Sequence, residues 1–169
     1  MIPNILKALR RLTGVLMIVG EKMRSPLLLL LRLYWGWQFF LTGKGKLANL
    51  DRTADFFATL HIPLPKLNAI MAGSTECFGG LLLLVGLGSR VITIPLIGTM
   101  VVAYLTADRE AVRNLFTNPD KFVTADPFLF LLVAVVVFTF GPGAFSIDAL
   151  IGTRSLHTKA HGPAVGLLQ

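Results

Sequence analysis

SPLLLLLRLYWGWQFFLTGKGKL, Ser25 to Leu47, is built of leucine and aromatic residues up to its closing lysines, with one fixed charge, Arg32, set inside it. Ser25-Pro26 supplies a helix cap and first-turn proline, and Gly43-Lys44-Gly45-Lys46 supplies an end. The stretch predicts a membrane-crossing helix over Pro26–Thr42, because roughly 20 predominantly apolar residues span a bilayer. An arginine within such a span costs at least ~2.5–3.5 kcal/mol, so it either reaches back to the headgroups or turns inward to partners. An inward Arg32 requires other helices around it.

Three further runs supply those helices: Leu67–Leu87, Val91–Thr106 and Pro127–Gly141. With 54% hydrophobic and 15% charged residues among 169, and a mean hydropathy of +0.70, the chain is too apolar for an ordinary soluble domain. The expected fold is all-α: an integral membrane four-helix bundle with an N-terminal amphipathic interfacial helix. Residues 1–24 form a basic leader, 25–152 the transmembrane domain, and 153–169 a flexible cytoplasmic tail. In the leader, Ile2, Ile5, Leu6, Leu9, Leu12, Leu16 and Val19 share one helical face, and the basic residues lie mostly off it. It reads as a helix lying on an anionic membrane surface; the alternative is a basic leader whose role is topological only. It carries no convincing signal-peptide pattern.

The net charge of +7 does not point to nucleic acid, because its densest cluster, Lys7, Arg10, Arg11, Lys22 and Arg24, precedes the first span. That position predicts cytoplasmic N- and C-termini. The outer loop DRTADFFATLHIPLP, from Asp51, carries Phe56, Phe57 and Leu60 at helical spacing and predicts a short interfacial helix. GLGSR, Gly86–Arg90, is so short that the second and third spans form an antiparallel hairpin. Asp108–Asp126 is a charged outer loop with Phe116 and Phe122, and Gly141-Pro142-Gly143 stops the fourth span.

One cysteine, Cys77, excludes an intramolecular disulfide, a CxxC pair and an iron–sulfur cluster built by this chain alone. His61, His157 and His161 fall in loops or the tail, so no span offers the imidazoles that an intramembrane haem would require, and no metal site is expected. Glu76 lies near the centre of the second span, with Gly73 and Gly80 on its face, while Gly36 and Gly43 lie on the Arg32 side of the first. Burying one charge alone is costly, so Arg32 and Glu76 are expected to pair inside the bundle, with Gln38, Ser74, Thr75 and Tyr104 as polar neighbours. Such a pair either fixes which helices touch or forms a polar pocket for a small lipophilic head group, such as a quinone carbonyl. Trp35, Trp37, Phe39 and Phe40 would wall that pocket, or in part form an interfacial aromatic belt.

LLRLYWGWQFFLTGKGKL, ECFGGLLLLVGLGSR and FGPGAFSIDALI, taken in order, resemble the DoxX family of small bacterial membrane proteins, over about Leu27 to Ile151. The resemblance implies a four-helix bundle in the bacterial inner membrane. Some members are subunits associated with quinone-linked oxidoreductases, including thiosulfate:quinone oxidoreductase, and others belong to oxidative-stress or metal-related assemblies. The motif residues carried over are Arg32, Gly36, Lys44, Glu76, Gly80 and Arg90. The chain offers no redox centre of its own, so electron transfer would require a diffusible quinone or a cofactor-bearing partner. Two functions follow. One is a membrane subunit of an oxidoreductase complex, contacting quinone through Arg32, Trp35, Gln38, Glu76 and Tyr104; the other is a non-catalytic assembly subunit. The lipid bilayer and other membrane subunits are the expected partners, and whether the chain is itself an enzyme stays open.

Overall fold

The computed structural model describes residues 2–152, with side chains from Arg10 onward. The secondary structure there is helical throughout: α1 (Ile2–Ala48), α2 (Leu50–Thr59), α3 (Pro65–Val85), α4 (Ser89–Thr106), α5 (Arg109–Arg113), α6 (Pro119–Val123) and α7 (Pro127–Phe140). The long helices run alternately up and down. α1 lies along α3 and α4 along α7, with α3 against α4 and α1 against α7. α2 rests on α3 at one end, called the outer end below, where α5 and α6 also link α4 to α7. By length and apolarity, α3 and α4 are each able to cross a membrane, whereas α7 is an apolar helix of 14 residues.

Small residues set the α1–α3 contact. A Cβ on Gly36 would lie 2.8 Å from the Leu84 nitrogen, and one on Gly80 would lie 2.5 Å from the Phe40 nitrogen. Gly43 meets the Cys77 and Gly73 backbone just as closely. Helices in lipid gain nothing from hiding apolar surface from one another, so close backbone approach is what holds them. The buried positions follow from this spacing: Leu28, Arg32, Gly36, Phe39 and Gly43 on α1 face Ala69, Gly73, Glu76, Gly80 and Leu83 on α3. Leu28, Phe39, Leu83, Leu96, Met100, Val133 and Val137 form the core. The outside of the same helices is apolar too, with Phe78, Val91, Leu105, Leu129 and Phe138 exposed. An exterior of that kind suits hydrocarbon rather than water.

Two boundaries differ from the sequence reading. No break separates leader from span: α1 runs through Pro26 without a loop, and Ser25 Oγ accepts a hydrogen bond from the Ala144 nitrogen instead of capping a new helix. The leader is therefore a continuation of the span, not a separate helix. Nor does Gly43-Lys44-Gly45-Lys46 end the helix. Gly43 is needed for contact with α3, Lys46 is held by α3, and the helix continues to Ala48. The tail, with His157 and His161, lies outside the described residues.

Candidate functional site

Arg32 and Glu76 do not pair. The register fixed by the glycines places Arg32 beside Gly86, ten residues beyond Glu76 on α3 and roughly 15 Å further along its axis at 1.5 Å per residue. Each charge has found another partner, at opposite ends of the molecule.

At the inner end, the partner is backbone. Arg32 is 1% exposed, and its Nη2 donates to the Phe145 carbonyl at 2.6 Å. Its guanidinium occupies the space that a side chain on Gly86 would need. Gly86 also ends α3 in the left-handed conformation, φ +76°, so the Leu87 N–H closes back on the Leu82 carbonyl at 3.0 Å. Arg24 donates to the Phe140 carbonyl and lies over the Phe140 ring, and Arg90 packs against Gly141. Asp148 accepts from the Gly88 and Ser89 nitrogens at 2.7 and 2.9 Å, closing the start of α4. Three arginines and one aspartate thus strap the segment after α7 across the α3–α4 turn. Arg32 and Arg90 belong to this strap.

At the outer end, Lys46 Nζ lies 2.5 Å from both carboxylate oxygens of Glu76. The Glu76 side chain is 2% exposed and that of Lys46 30%. The sequence reading missed Lys46, although the signal was present. Arg32, Gly36, Phe39, Gly43 and Lys46 recur at steps of three and four, so Lys46 lies on the buried face whereas Lys44 points away and stands over the Phe40 ring.

Lys46 and Glu76 border a cavity of about 560 Å³ among α1, α2, α3, α4 and α7. Phe56, Phe57, Leu60, Met71, Met100 and Phe130 make its walls largely apolar, and Thr75, Thr99 and Asn68 add polar points. Asp108 and Asp126 stand where α4 and α7 reach it. Burial pushes the Asp108 carboxyl above the usual carboxylate range, and the nearby Asp126 charge adds to the effect. Of the residues expected to share one pocket, only Glu76 and Thr75 line this cavity. Trp35 stands behind its wall, edge-on to Phe130 at 4.8 Å. Gln38 is half-buried and outside the lining, and Tyr104 is turned away, stacked on Phe122 with its hydroxyl donating to the Phe122 carbonyl at 2.8 Å. Among the described residues, no cluster of three metal-ligating side chains occurs.

The DoxX family model matches residues 27–109, a range that holds Arg32, Gly36, Lys44, Glu76, Gly80 and Arg90. The inner membrane protein YphA of Escherichia coli (strain K12) is 32% identical over 131 residues, which cover 74% of this chain and 90% of YphA. The chain belongs to the DoxX family. CatD of Bacillus subtilis (strain 168), which bears a provisional oxidoreductase name, is 28% identical over 117 residues, covering 60% of this chain and 86% of CatD. No solved structure matches. Within this DoxX protein, the Lys46–Glu76 pair lies inside the matched range, whereas the strap after α7 lies beyond it.

Proposed function

We propose that this protein is a bacterial inner-membrane subunit of an oxidoreductase or electron-transfer complex, and that its outer-end cavity takes a quinone head group. In this reading α1, α3, α4 and α7 all cross the membrane, with both termini cytoplasmic. The observation that carries it is a cavity of about 560 Å³ with an ion pair in its wall, within the roughly 300–1,000 Å³ of ordinary small-molecule sites. A quinone presents a flat ring to apolar and aromatic walls and two carbonyl oxygens that accept hydrogen bonds. An ammonium has three N–H donors; Glu76 takes two of those of Lys46, leaving one. The Thr75 hydroxyl makes no hydrogen bond among the described residues and is a second donor on the same wall. Glu76 holds the Lys46 head in place, and the phenylalanines exclude water. Arg32, committed to the strap, has a structural role in this reading.

Trp35 provides the test, because it touches Phe130, which lines the cavity. In lipid nanodiscs, a Trp37→Phe protein titrated with a short-chain quinone should show saturable quenching of Trp35. Lys46→Met should weaken the apparent affinity about ten- to a hundredfold, the loss of one charge-assisted hydrogen bond of roughly 1.5–3 kcal/mol. Quenching that rises only with the bulk quinone content of the bilayer, identically in both proteins, would leave an assembly subunit as the better description.

A further inference from the structure

α1 has two faces with different fates. The face toward the other helices carries Leu28, Arg32, Gly36, Phe39 and Gly43, all buried. The opposite face carries Leu12, Leu16, Val19, Met23, Leu27, Leu30, Tyr34, Trp37 and Leu41, all exposed, from 42% at Leu41 to 64% at Leu30. Their steps of three and four average about 3.6 residues, so they stay on one side of a straight helix. The stripe is unbroken at Pro26, because the helix is unbroken there. Arg10, Arg11, Glu21, Lys22 and Arg24 all fall outside it.

Lipid accounts for the half between Leu27 and Leu41. It does not account for the rest while α1 stays straight. At the inner end α3 stops beside Arg32, at Gly86, and α7 stops at the level of Arg24, whose guanidinium meets the Phe140 carbonyl. Residues before Arg24 extend past the bundle, and from Arg10 to Arg24 all but Gly14 are exposed. A cover for the whole stripe must itself be long, apolar and directed along the membrane normal through the same inner surface.

We infer that this stripe is the contact between two copies of the chain, their α1 helices parallel about a twofold axis along the membrane normal. A second copy meets each requirement, because its own α1 has the same length, direction and stripe. The pairing is isologous, as the commonest dimers are. The stripe is roughly 45 Å long at 1.5 Å per residue, and at a helix diameter of about 10 Å two copies cover on the order of 1,000 Å², the size a specific interface needs. The buried glycines and the cavity lie on the far side of α1, so the dimer leaves both untouched.

The test uses the full chain with Cys77→Ala, in liposomes. Single cysteines at Leu16 and Leu30 lie on the stripe, and one at Gly14, where nothing lies within 4 Å, lies off it. Mild oxidation should link copies through positions 16 and 30, at least tenfold faster than through 14. Leu16→Arg with Val19→Arg touches no other helix, leaves the bundle folded, and should reduce linking at position 30 by at least tenfold. Equal linking at 14 and 16, absence of linking at 30, or strong quenching of a fluorescent label on the position-16 cysteine by spin-labelled acyl chains would each overturn the assignment, the last giving the stripe to lipid.

Discussion

At the scale of single residues, Lys46 and Glu76 are unequal partners, and the inequality is measurable. Glu76 is sealed, at 2% exposure, whereas Lys46 reaches solvent at 30%. Lys46→Met strands a buried carboxylate and is expected to cost about 3 kcal/mol in denaturant titrations in mixed micelles. Glu76→Leu leaves a lysine that can turn outward and should cost only about 1 kcal/mol. The double variant should fall within about 1 kcal/mol of the native protein, because neither charge is then left alone. Asp108 makes a second prediction. Its carboxyl is held above its unfolded value by burial, then by Asp126, so the folded state binds that proton more tightly than the unfolded chain does. Its contribution to stability is full below the ordinary aspartate range and is lost as pH rises through the raised value. Asp108→Asn should remove this fall, and the melting temperature of the variant should change less with pH than that of the native protein. The sequence marked Arg32 and Glu76 as residues that need partners, but not which partners. Pairing depends on the register between antiparallel helices, which the glycines set only once their mutual contacts are known. The partner of Arg32 is a backbone carbonyl, and no side-chain inventory points to one.

Among the elements, α1 and α3 depend on glycine for contact rather than for flexibility. Gly43→Ala places a methyl group into the Cys77 backbone, where no side chain can move aside. That variant should lose about 2 kcal/mol or more, in the range of overpacking, and should be the least stable of the alanine series at Gly14, Gly36 and Gly43. Gly14→Ala has open space around it and should gain up to ~1 kcal/mol of local helix stability, visible as slower amide exchange in the first turns of α1. Element positions were largely legible. The run Leu67–Leu87 became Pro65–Val85, Val91–Thr106 became Ser89–Thr106, and Pro127–Gly141 became Pro127–Phe140. Their boundaries are marked locally, by prolines at the start of α3 and α7 and by glycines at the end of α3 and before α4. α1 was misread for the complementary reason. Proline and glycine suggested boundaries at Pro26 and Gly43 in a helix whose continuity is fixed by tertiary contacts, the strap at one end and α3 at the other. The helix expected around Phe56 and Phe57 is α2, and its aromatic residues line the cavity wall.

For the molecule as a whole, the two ends are chemically distinct. The inner end is closed by arginine donors spent on backbone carbonyls, and the outer end holds a cavity among α1, α2, α3, α4 and α7. The buried charge near each end is tolerated for a different reason, Arg32 because it ties the chain together and Glu76 because it is paired at the border of a space. The functional account rests on the second. The most direct measurement is mapping a photoactivatable quinone on the full-length protein in native-like membranes. The account predicts that labelled peptides come from the cavity wall, around Phe56–Phe57, Met71–Glu76 and Phe130, with labelling displaced by unmodified quinone and reduced in Lys46→Met. Label confined to the outward faces of α3 and α4, undiminished by competitor, would contradict it and return the cavity to the role of a packing space within an assembly subunit.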